Sequence, residues 1–122
     1  IIRGEGGRKR LQQALTDAGA DRVEMAVYRR CRPSGGFDIP ADWLSRPLGF
    51  TIVTSRTGLE HLLGMAGPAA LEWVQKSRLV TVSERIARAA RGAGFVHPAV
   101  ADGVDERALV NPLIALRQEA RI

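Results

Sequence analysis

Three short segments combine the residue types that bind anions. They are Gly4–Arg8, Thr54–Gly58 and Ser83–Ile86; each contains an arginine, and the second and third also contain hydroxyl side chains. Each segment follows an apolar run and precedes a helical pattern, so its backbone N–H groups lie at a helix N-terminus, where partial positive charge favours anions. The simpler alternative is that Ser83 and Thr57 only cap their helices. The spacing predicts three anion-binding loops, with capping as the alternative for each hydroxyl.

Two nucleotide-binding motifs are incomplete in this sequence. Gly4 and Gly6 match the first two glycines of the dinucleotide-binding fingerprint, but the third position is Lys9. Arg29 and Arg30 end the next predicted strand, where that motif needs an acidic residue for the ribose. The sequence also lacks the Lys-Ser/Thr pair that closes a P-loop. Binding of NAD and hydrolysis of nucleotides therefore have no support.

Side chains suited to metal binding or nucleophilic catalysis are isolated. His61 lies in a predicted helix and His97 in a predicted loop, and neither has a second ligand at metal-binding spacing. Ser55 lacks the G-x-S-x-G context of a hydrolase nucleophile. Cys31 is the only cysteine, which excludes an internal disulfide and a cysteine-based zinc site. We expect no metal site and no cofactor.

Tyr28 is the one aromatic residue whose position suggests chemistry. It lies at the carboxyl end of a predicted strand, where α/β proteins bind their ligands. A phenol at such a place can donate a hydrogen bond or act as a weak acid. The alternative is that the ring only packs against its neighbours.

The elements that carry these residues alternate between strands and helices. Residues 1–3 are expected to end a strand, 8–18 to form an amphipathic helix with its apolar residues on one face, and 22–30 to form a half-buried strand. A linker-like stretch rich in proline and glycine begins at Cys31. We therefore divide the chain into residues 1–32 and 33–122.

The same strand and helix unit repeats after this boundary. Strands are expected at 50–54, 79–82 and 95–96, with helices between them and a final helix from about Asp105 to Arg121. Short apolar strands that alternate with helices predict an α/β fold, in which helices cover both faces of a parallel sheet.

Local details of the region after this boundary can also be predicted. The pattern T-G-L-E that begins at Thr57 is typical of a capping box. Gly67 and Pro68 are expected to break the helix. Trp43 and Trp73 are expected to pack in the core.

Composition narrows the class of partner. The chain has 122 residues, with 18 Lys and Arg against 13 Asp and Glu, so its formal net charge is +5. This excess favours an anionic partner. No window approaches the roughly 20 apolar residues of a membrane span, and a single cysteine fits a reducing compartment. We expect a cytoplasmic protein, and the absence of an initiator Met before a strand already under way suggests a fragment.

The order of the motifs resembles the uroporphyrinogen-III synthase family over nearly the whole chain. The segments that carry the resemblance are Arg3–Arg8 (RGEGGR), Val23–Arg30 (VEMAVYRR), Val53–Leu59 (VTSRTGL) and Val82–Ala87 (VSERIA). Each motif is moderately specific alone, so their order and spacing carry the identification.

The resemblance implies a fold of two flavodoxin-like α/β domains joined by a two-stranded connector, with one domain inserted into the other. Residues 1–32 would then complete the inserted domain and its connector strand, and 33–122 would be the carboxyl half of the other domain. The amino-terminal half would be absent. Uncovered sheet edges would then favour pairing with that missing half or with a second copy.

The resemblance also implies a reaction that needs no cofactor. Hydroxymethylbilane loses water, its last pyrrole ring is inverted through a spiro intermediate, and the macrocycle closes as uroporphyrinogen III. The substrate carries eight acetate and propionate carboxylates, which suits helix N-termini and arginines. Positioning and electrostatics would supply the catalysis, in keeping with a sequence that lacks a triad.

Site residues follow from the resemblance. Tyr28 matches the family tyrosine proposed to assist departure of the hydroxyl as water. The chain departs from the family's Ile-Gly-Pro-x-Thr turn, because Ser83, Glu84 and Ile86 replace its glycine, proline and threonine, which leaves backbone N–H groups as the binders there. The substrate-binding residues expected are Arg3, Gly4, Gly6, Thr54, Ser55, Arg56, Thr57, Gly58, Arg78, Ser83, Arg85 and Ile86.

The sequence leaves two other functions open. The first is a non-catalytic tetrapyrrole-binding or anion-binding module of the same fold, favoured by the missing hydroxyl at Ile86. The second is a basic nucleic-acid-binding domain whose footprint would be Arg85, Arg88 and Arg91 on one helix. Aromatic residues make up only 5% of the chain, which argues against base stacking.

Overall fold

The computed structural model describes residues 1–120, which form two compact units. The first unit is Ile1–Pro33, and the second begins at Ser34. The first unit contains strand β1 (Ile2–Gly4), helix α1 (Arg10–Asp17) and strand β2 (Met25–Tyr28).

In the first unit, β1 and β2 pair in parallel, and α1 connects them. The strand expected at 22–30 is shorter, and all four of its residues are exposed, so the prediction of a half-buried strand is wrong. The prediction for α1 also fails in part, because Gln12 is its buried residue whereas Leu11 is 60% exposed. A single helix packed on two strands is too small to bury the apolar side chains of this unit.

A polar network connects α1 to the segment that leads into β2. The Gln12 amide Nε2 donates to the Glu24 carboxylate at 3.0 Å, and Arg22 donates to the same carboxylate. Arg22 also donates from Nε to the Thr16 hydroxyl at 3.1 Å. The hydrogen bond from Gln12, followed by the bond from and the charge of Arg22, holds the pKa of Glu24 below its usual value, and the charge of Arg3 adds to this.

The second unit contains three parallel strands in the order β3-β4-β5. Val53 pairs with Thr81 and Val80 with Ala99. Its elements are α2 (Ala41–Leu44), β3 (Phe50–Val53), α3 (Arg56–Gln75), β4 (Arg78–Thr81), α4 (Glu84–Gly92), β5 (Ala99–Val100) and α5 (Glu106–Glu119). The expected end of the last helix at Arg121 lies outside the described residues.

Helices cover both faces of this sheet. The chain crosses from β3 to β4 and from β4 to β5 in the same direction along the sheet. Because such crossovers are right-handed, α3 and α4 lie on the same face, where they contact each other. The other face carries α5, whose Leu116 carbonyl accepts a hydrogen bond from Arg78 Nη1 at 2.8 Å. The expected α/β fold with parallel strands is thereby confirmed.

The core lies between the sheet and the two crossover helices. Alternate residues of β3 and β4 point into it, and α4 adds an apolar stripe of Ile86, Ala87 and Ala90. The buried residues of this cluster are Val53, Leu59, Val74, Leu79, Ile86, Ala90 and Phe95. The predicted break in α3 is confirmed, since Gly67 there has a φ of +66°.

The strand expected at Phe95–Val96 is wrong, because this segment closes α4 instead. The Gly94 N–H donates to the Arg91 carbonyl at 3.1 Å, and the Phe95 N–H donates to the Ala90 carbonyl at 3.0 Å. Gly94 has a φ of +98°. This pair of bonds is a Schellman motif, in which the residue after the glycine packs back on the helix. Phe95 is therefore a core residue, and β5 begins four residues later.

Two other local predictions are wrong. Ser55, not Thr57, caps α3, since its hydroxyl accepts a hydrogen bond from the Gly58 N–H at 2.9 Å. Trp43 does not lie in the core but is 58% exposed. Trp73 is half-buried and donates from Nε1 to the Arg46 carbonyl at 2.6 Å. An indole needs a partner for its N–H, which favours such a position at the margin of the core.

Candidate functional site

The second unit brings two of the three predicted loops to one edge of its sheet. Strands β3 and β4 are parallel neighbours, and they end side by side at the pair Val53 and Thr81. The segments Thr54–Gly58 and Ser83–Ile86 follow directly, and each leads into a long helix. This edge is where an open α/β sheet binds its ligand.

One serine hydroxyl in each loop caps the helix that follows. Ser55 accepts from the Gly58 N–H at 2.9 Å, and Ser83 accepts from the Ile86 N–H at 3.3 Å. The capping alternative is thus confirmed for Ser83. The first N–H groups of a helix have no partner within it, which leaves those of Arg56 and Arg85 free of intrahelical bonds. The edge therefore offers backbone donors at two adjacent helix N-termini.

Two arginines flank these donors. Arg56 forms an exposed ion pair with Glu60, with 3.1 Å between Nε and Oε1. Arg85 is exposed and forms no salt bridge within residues 1–120. Glu84 lies in the first turn of α4 and pairs with Arg91 at the other end of the helix. Positive charge at this edge thus comes from Arg85, from Arg56 and from the helix termini.

Two of the expected binding residues are placed differently. Arg78 is the first residue of β4, at the opposite end of the strand, and its guanidinium contacts α5 through Leu116 and lies 3.8 Å from Glu119. The Ile86 side chain is only 3% exposed and belongs to the core, and its N–H is taken by the Ser83 cap. The structure brings neither side chain to the edge where the loops meet.

The first unit brings together the remaining predicted loop, Gly4–Arg8, and Tyr28. They surround a cavity of about 250 Å³. Its lining residues are Ile1, Arg3, Gly4, Glu5, Gly6, Gly7, Arg8, Leu11, Gln12, Tyr28 and Arg30. The Arg3 guanidinium donates to the Gly6 carbonyl, which holds the loop in a tight turn. Four of the expected site residues therefore share one cavity.

An irregularity in strand pairing determines where Tyr28 lies. Arg3 pairs with Ala26, but the register then shifts so that Gly4 faces Tyr28 and Val27 is skipped. A bulge of this kind re-aims a side chain. The Glu5 N–H donates to the Tyr28 carbonyl at 2.8 Å, and this bond holds the strand end in place.

The Tyr28 ring is half-exposed and rests on glycine. A Cβ atom added at Gly4 would lie 2.4 Å from Tyr28 Cε2 and 2.5 Å from Cζ, so the position has no room for a side chain. Tyr28 is 52% exposed, and its side chain therefore contacts its neighbours while remaining partly accessible.

Arg30 is not among the predicted site residues, but it lies beside Tyr28. Its guanidinium carbon lies 5.6 Å from the centre of the Tyr28 ring, within the range of a cation–π interaction. Residues two apart on an extended strand share a face. The spacing of Tyr28 and Arg30 was therefore an available signal.

The described residues 1–120 contain neither a candidate metal site nor a candidate membrane-spanning helix. Within residues 1–120, no group of three or more His, Cys, Asp or Glu side chains lies close enough together to hold a metal ion. None of the helices described over this range has the length and apolar character needed to cross a membrane.

Comparison with known proteins gives a consistent result. The family described as uroporphyrinogen-III synthase HemD matches residues 1–111. The chain is 36% identical to the uroporphyrinogen-III synthase of Salmonella typhimurium (strain LT2) over 115 residues, which are 93% of this chain and 47% of that protein. It is 35% identical to the uroporphyrinogen-III synthase of Escherichia coli (strain K12), with the same coverage.

The chain thus spans about half the length of the curated relatives it matches. The two small parallel sheets with helices around them fit a flavodoxin-like domain of this kind. The family match covers both units and all three loops, and on this basis the chain belongs to the uroporphyrinogen-III synthase family.

Proposed function

We propose that this chain supplies the carboxyl-terminal half of a uroporphyrinogen-III synthase. The reaction is the closure of hydroxymethylbilane to uroporphyrinogen III, with inversion of the last pyrrole ring and loss of water, in the cytoplasm and without a cofactor. The observation that carries the proposal is the family match over residues 1–111, which includes every loop described above. Residues 1–32 belong to the inserted domain, and 33–122 complete the other domain.

The substrate carboxylates bind at the helix N-termini and arginines. At the edge of the second unit, the backbone N–H groups of Arg56 and Arg85 and their side chains bind carboxylates, because both charge and donor geometry favour anions there. In the first unit, the Gly4–Arg8 loop does the same. Ser55 and Ser83 act through their caps, which hold these N–H groups in place.

Tyr28 is the catalytic residue of this proposal. Its phenol donates a proton to the terminal hydroxyl of hydroxymethylbilane as the carbon–oxygen bond breaks, so that water leaves. The lone pair of the adjacent pyrrole nitrogen stabilises the resulting carbocation, which is consumed when the last pyrrole ring bonds to it. The carbon of that ring that closes the macrocycle loses a proton, and this proton restores the Tyr28 phenol. The partly accessible side chain beside the arginine-lined cavity supports this role.

The partner is the amino-terminal half of the same enzyme, and self-association is the alternative. The relatives are about twice as long as this chain. Apolar side chains on both strands of the first unit and just before β2 are exposed, among them Ile2, Val23, Met25 and Val27. Exposed apolar surface of this kind marks an interaction site.

The test is an isomer assay with three preparations. Hydroxymethylbilane is supplied to this chain alone, to this chain with the amino-terminal half of the Escherichia coli synthase, and to a chimaera in which this chain replaces the matching 115 residues of that synthase. The products are oxidised, and uroporphyrins I and III are separated. Spontaneous closure gives type I, so we expect type III product above the protein-free control in the chimaera.

The outcomes separate the functions that remain open. If a folded chimaera gives only type I product but binds uroporphyrin, the non-catalytic binding module replaces the synthase. Steeply salt-dependent binding to DNA would instead favour the hypothesis of a nucleic-acid-binding domain. The ion pair between Arg91 and Glu84 argues against this hypothesis, because it places a carboxylate beside the exposed arginines of α4.

A further inference from the structure

Tyr28 is held by contacts that the reaction itself does not require. Gly4 supports the ring, the bulge between Arg3 and Gly4 sets its direction, and Arg30 lies over it. We propose that Gly4 and Arg30 are positioning residues that hold the Tyr28 phenol in one orientation at the mouth of the first unit's cavity. This inference rests on the proposed function for its effect on catalysis, but the contacts can be tested without activity.

The role of Gly4 is steric. Its φ lies outside the left-handed region, so alanine fits the backbone, and the three atoms nearest to a Cβ there all belong to the Tyr28 ring. Because the ring is half-exposed, it can move away, and the substitution Gly4→Ala displaces it without disturbing a core. Gly49→Ala is the matched control, since nothing lies within 4 Å of a Cβ at that position.

The role of Arg30 is attraction to the ring face. A guanidinium at 5.6 Å from the ring centre favours the orientation of the ring that it covers. Arg29→Ala removes the same charge from the neighbouring position and is the matched control for Arg30→Ala. Arg30→Lys keeps a cation and should retain most of the effect.

The direct test uses the fact that Tyr28 is the only tyrosine in the chain. Ring-labelled tyrosine therefore gives one set of NMR signals, which needs no assignment by mutation. We expect nuclear Overhauser effects between the Tyr28 ring and the Gly4 Hα protons, lost in Gly4→Ala and kept in Gly49→Ala. Arg30→Ala should shift the ring signals, whereas Arg29→Ala should not. Absence of the Gly4 contact in the unaltered chain would overturn the inference.

The catalytic test uses the chimaera described above. A ring displaced by about 1 Å should lower kcat by roughly 10- to 100-fold in Gly4→Ala. Loss of the exposed cation–π contact in Arg30→Ala should lower kcat by about three-fold. In both variants KM should stay within about two-fold, because Gly4→Ala keeps every backbone N–H of the Gly4–Arg8 loop and the other proposed carboxylate contacts are unchanged.

Failures of the two proposals can be told apart. If the unaltered chimaera folds but makes no type III product, the proposed function fails, and the NMR contacts alone decide whether Gly4 and Arg30 hold the ring. If the chimaera is active and Gly4→Ala moves the ring yet leaves kcat unchanged, the positioning role is wrong while the synthase function stands.

Discussion

At the scale of single residues, polar side chains in this protein differ in whether their hydrogen bonds are complete. In the second unit, Thr51 and Ser77 share a hydrogen bond of 2.6 Å between their hydroxyls. The Thr81 hydroxyl is buried on the same sheet and has no partner within residues 1–120. A buried hydroxyl without a partner costs free energy, whereas a paired one contributes it.

We predict opposite effects on stability for two threonine substitutions. Thr81→Val removes the unpaired hydroxyl and should raise the free energy of unfolding by about 1 kcal/mol, whereas Thr51→Val removes a paired one and should lower it by about 1 kcal/mol. Urea unfolding monitored by tryptophan fluorescence measures both. A loss of stability in Thr81→Val would mean that its hydroxyl has a partner.

Glu24 makes the first unit sensitive to acid. Hydrogen bonds from Gln12 and Arg22 keep the pKa of its carboxyl below the usual 4.5 in the folded state. A lowered folded pKa means that the stabilisation is fully present above about pH 4.5 and is lost as the pH falls through the lower value. We expect amide signals of Met25–Tyr28 to change over this acid range in NMR spectra.

Two variants check this assignment. Glu24→Gln removes the titrating group, so the acid-dependent change should become much smaller. Glu5→Gln removes a carboxylate outside the network and should leave the change as it is. An unaltered acid transition in Glu24→Gln would contradict the assignment.

At the scale of elements, the helix caps connect stability to the proposed binding edge. Ser55, Ser83 and Asp105 each accept a hydrogen bond from the N–H three residues on, at the start of α3, α4 and α5. The first two of these caps also form the loops at the carboxyl edge of the sheet. The residues that end the strands and begin the helices are therefore the same residues that present the N–H groups proposed to bind carboxylates.

We predict that the true cap of α3 can be identified by substitution. Ser55→Ala should lower the free energy of unfolding by about 1 kcal/mol, because one donor at the helix N-terminus loses its partner. Thr57→Ala should change it little, since Thr57 does not cap the helix. Thermal unfolding of both variants measures this, and a larger loss in Thr57→Ala would restore the capping box that the sequence suggests.

At the scale of the whole molecule, the two units differ in how well they bury apolar surface. The second unit has a closed cluster of core residues between its sheet and two helices. In the first unit, every residue of β2 is exposed, and Val27 is 55% exposed. A surface of this kind marks an interaction site, and the proposed partner is the other half of the enzyme or a second copy of the chain.

We predict that the isolated chain self-associates through its first unit. The molar mass measured by light scattering should rise with concentration. Val27→Lys should reduce this rise, because a charge on the apolar strand opposes its burial. Val104→Lys adds the same charge at a 76% exposed position of the second unit and should have little effect. A monomer at all concentrations would remove self-association from consideration.

Much of the fold and of the candidate site can be predicted from local patterns. Alternation of strands and helices, the apolar stripe of α4, the break at Gly67 and the loops at the strand ends each depend on residues close together in the chain. The family resemblance adds the order of these motifs. Tyr28 and the Gly4–Arg8 loop could be placed in one region because both lie at the ends of neighbouring strands of one unit.

Tertiary contacts decided the rest. The bulge that sets Gly4 against Tyr28 depends on pairing between strands more than 20 residues apart, and no local pattern reveals it. Arg78 contacts α5, and Phe95 is buried. Both facts depend on which helix packs next to the residue. The amino-acid sequence by itself determined the class of fold and the chemistry offered at each loop, because both follow from local periodicity and side-chain type. Only the tertiary structure decided which side chains reach a site, because that depends on register and packing between distant segments.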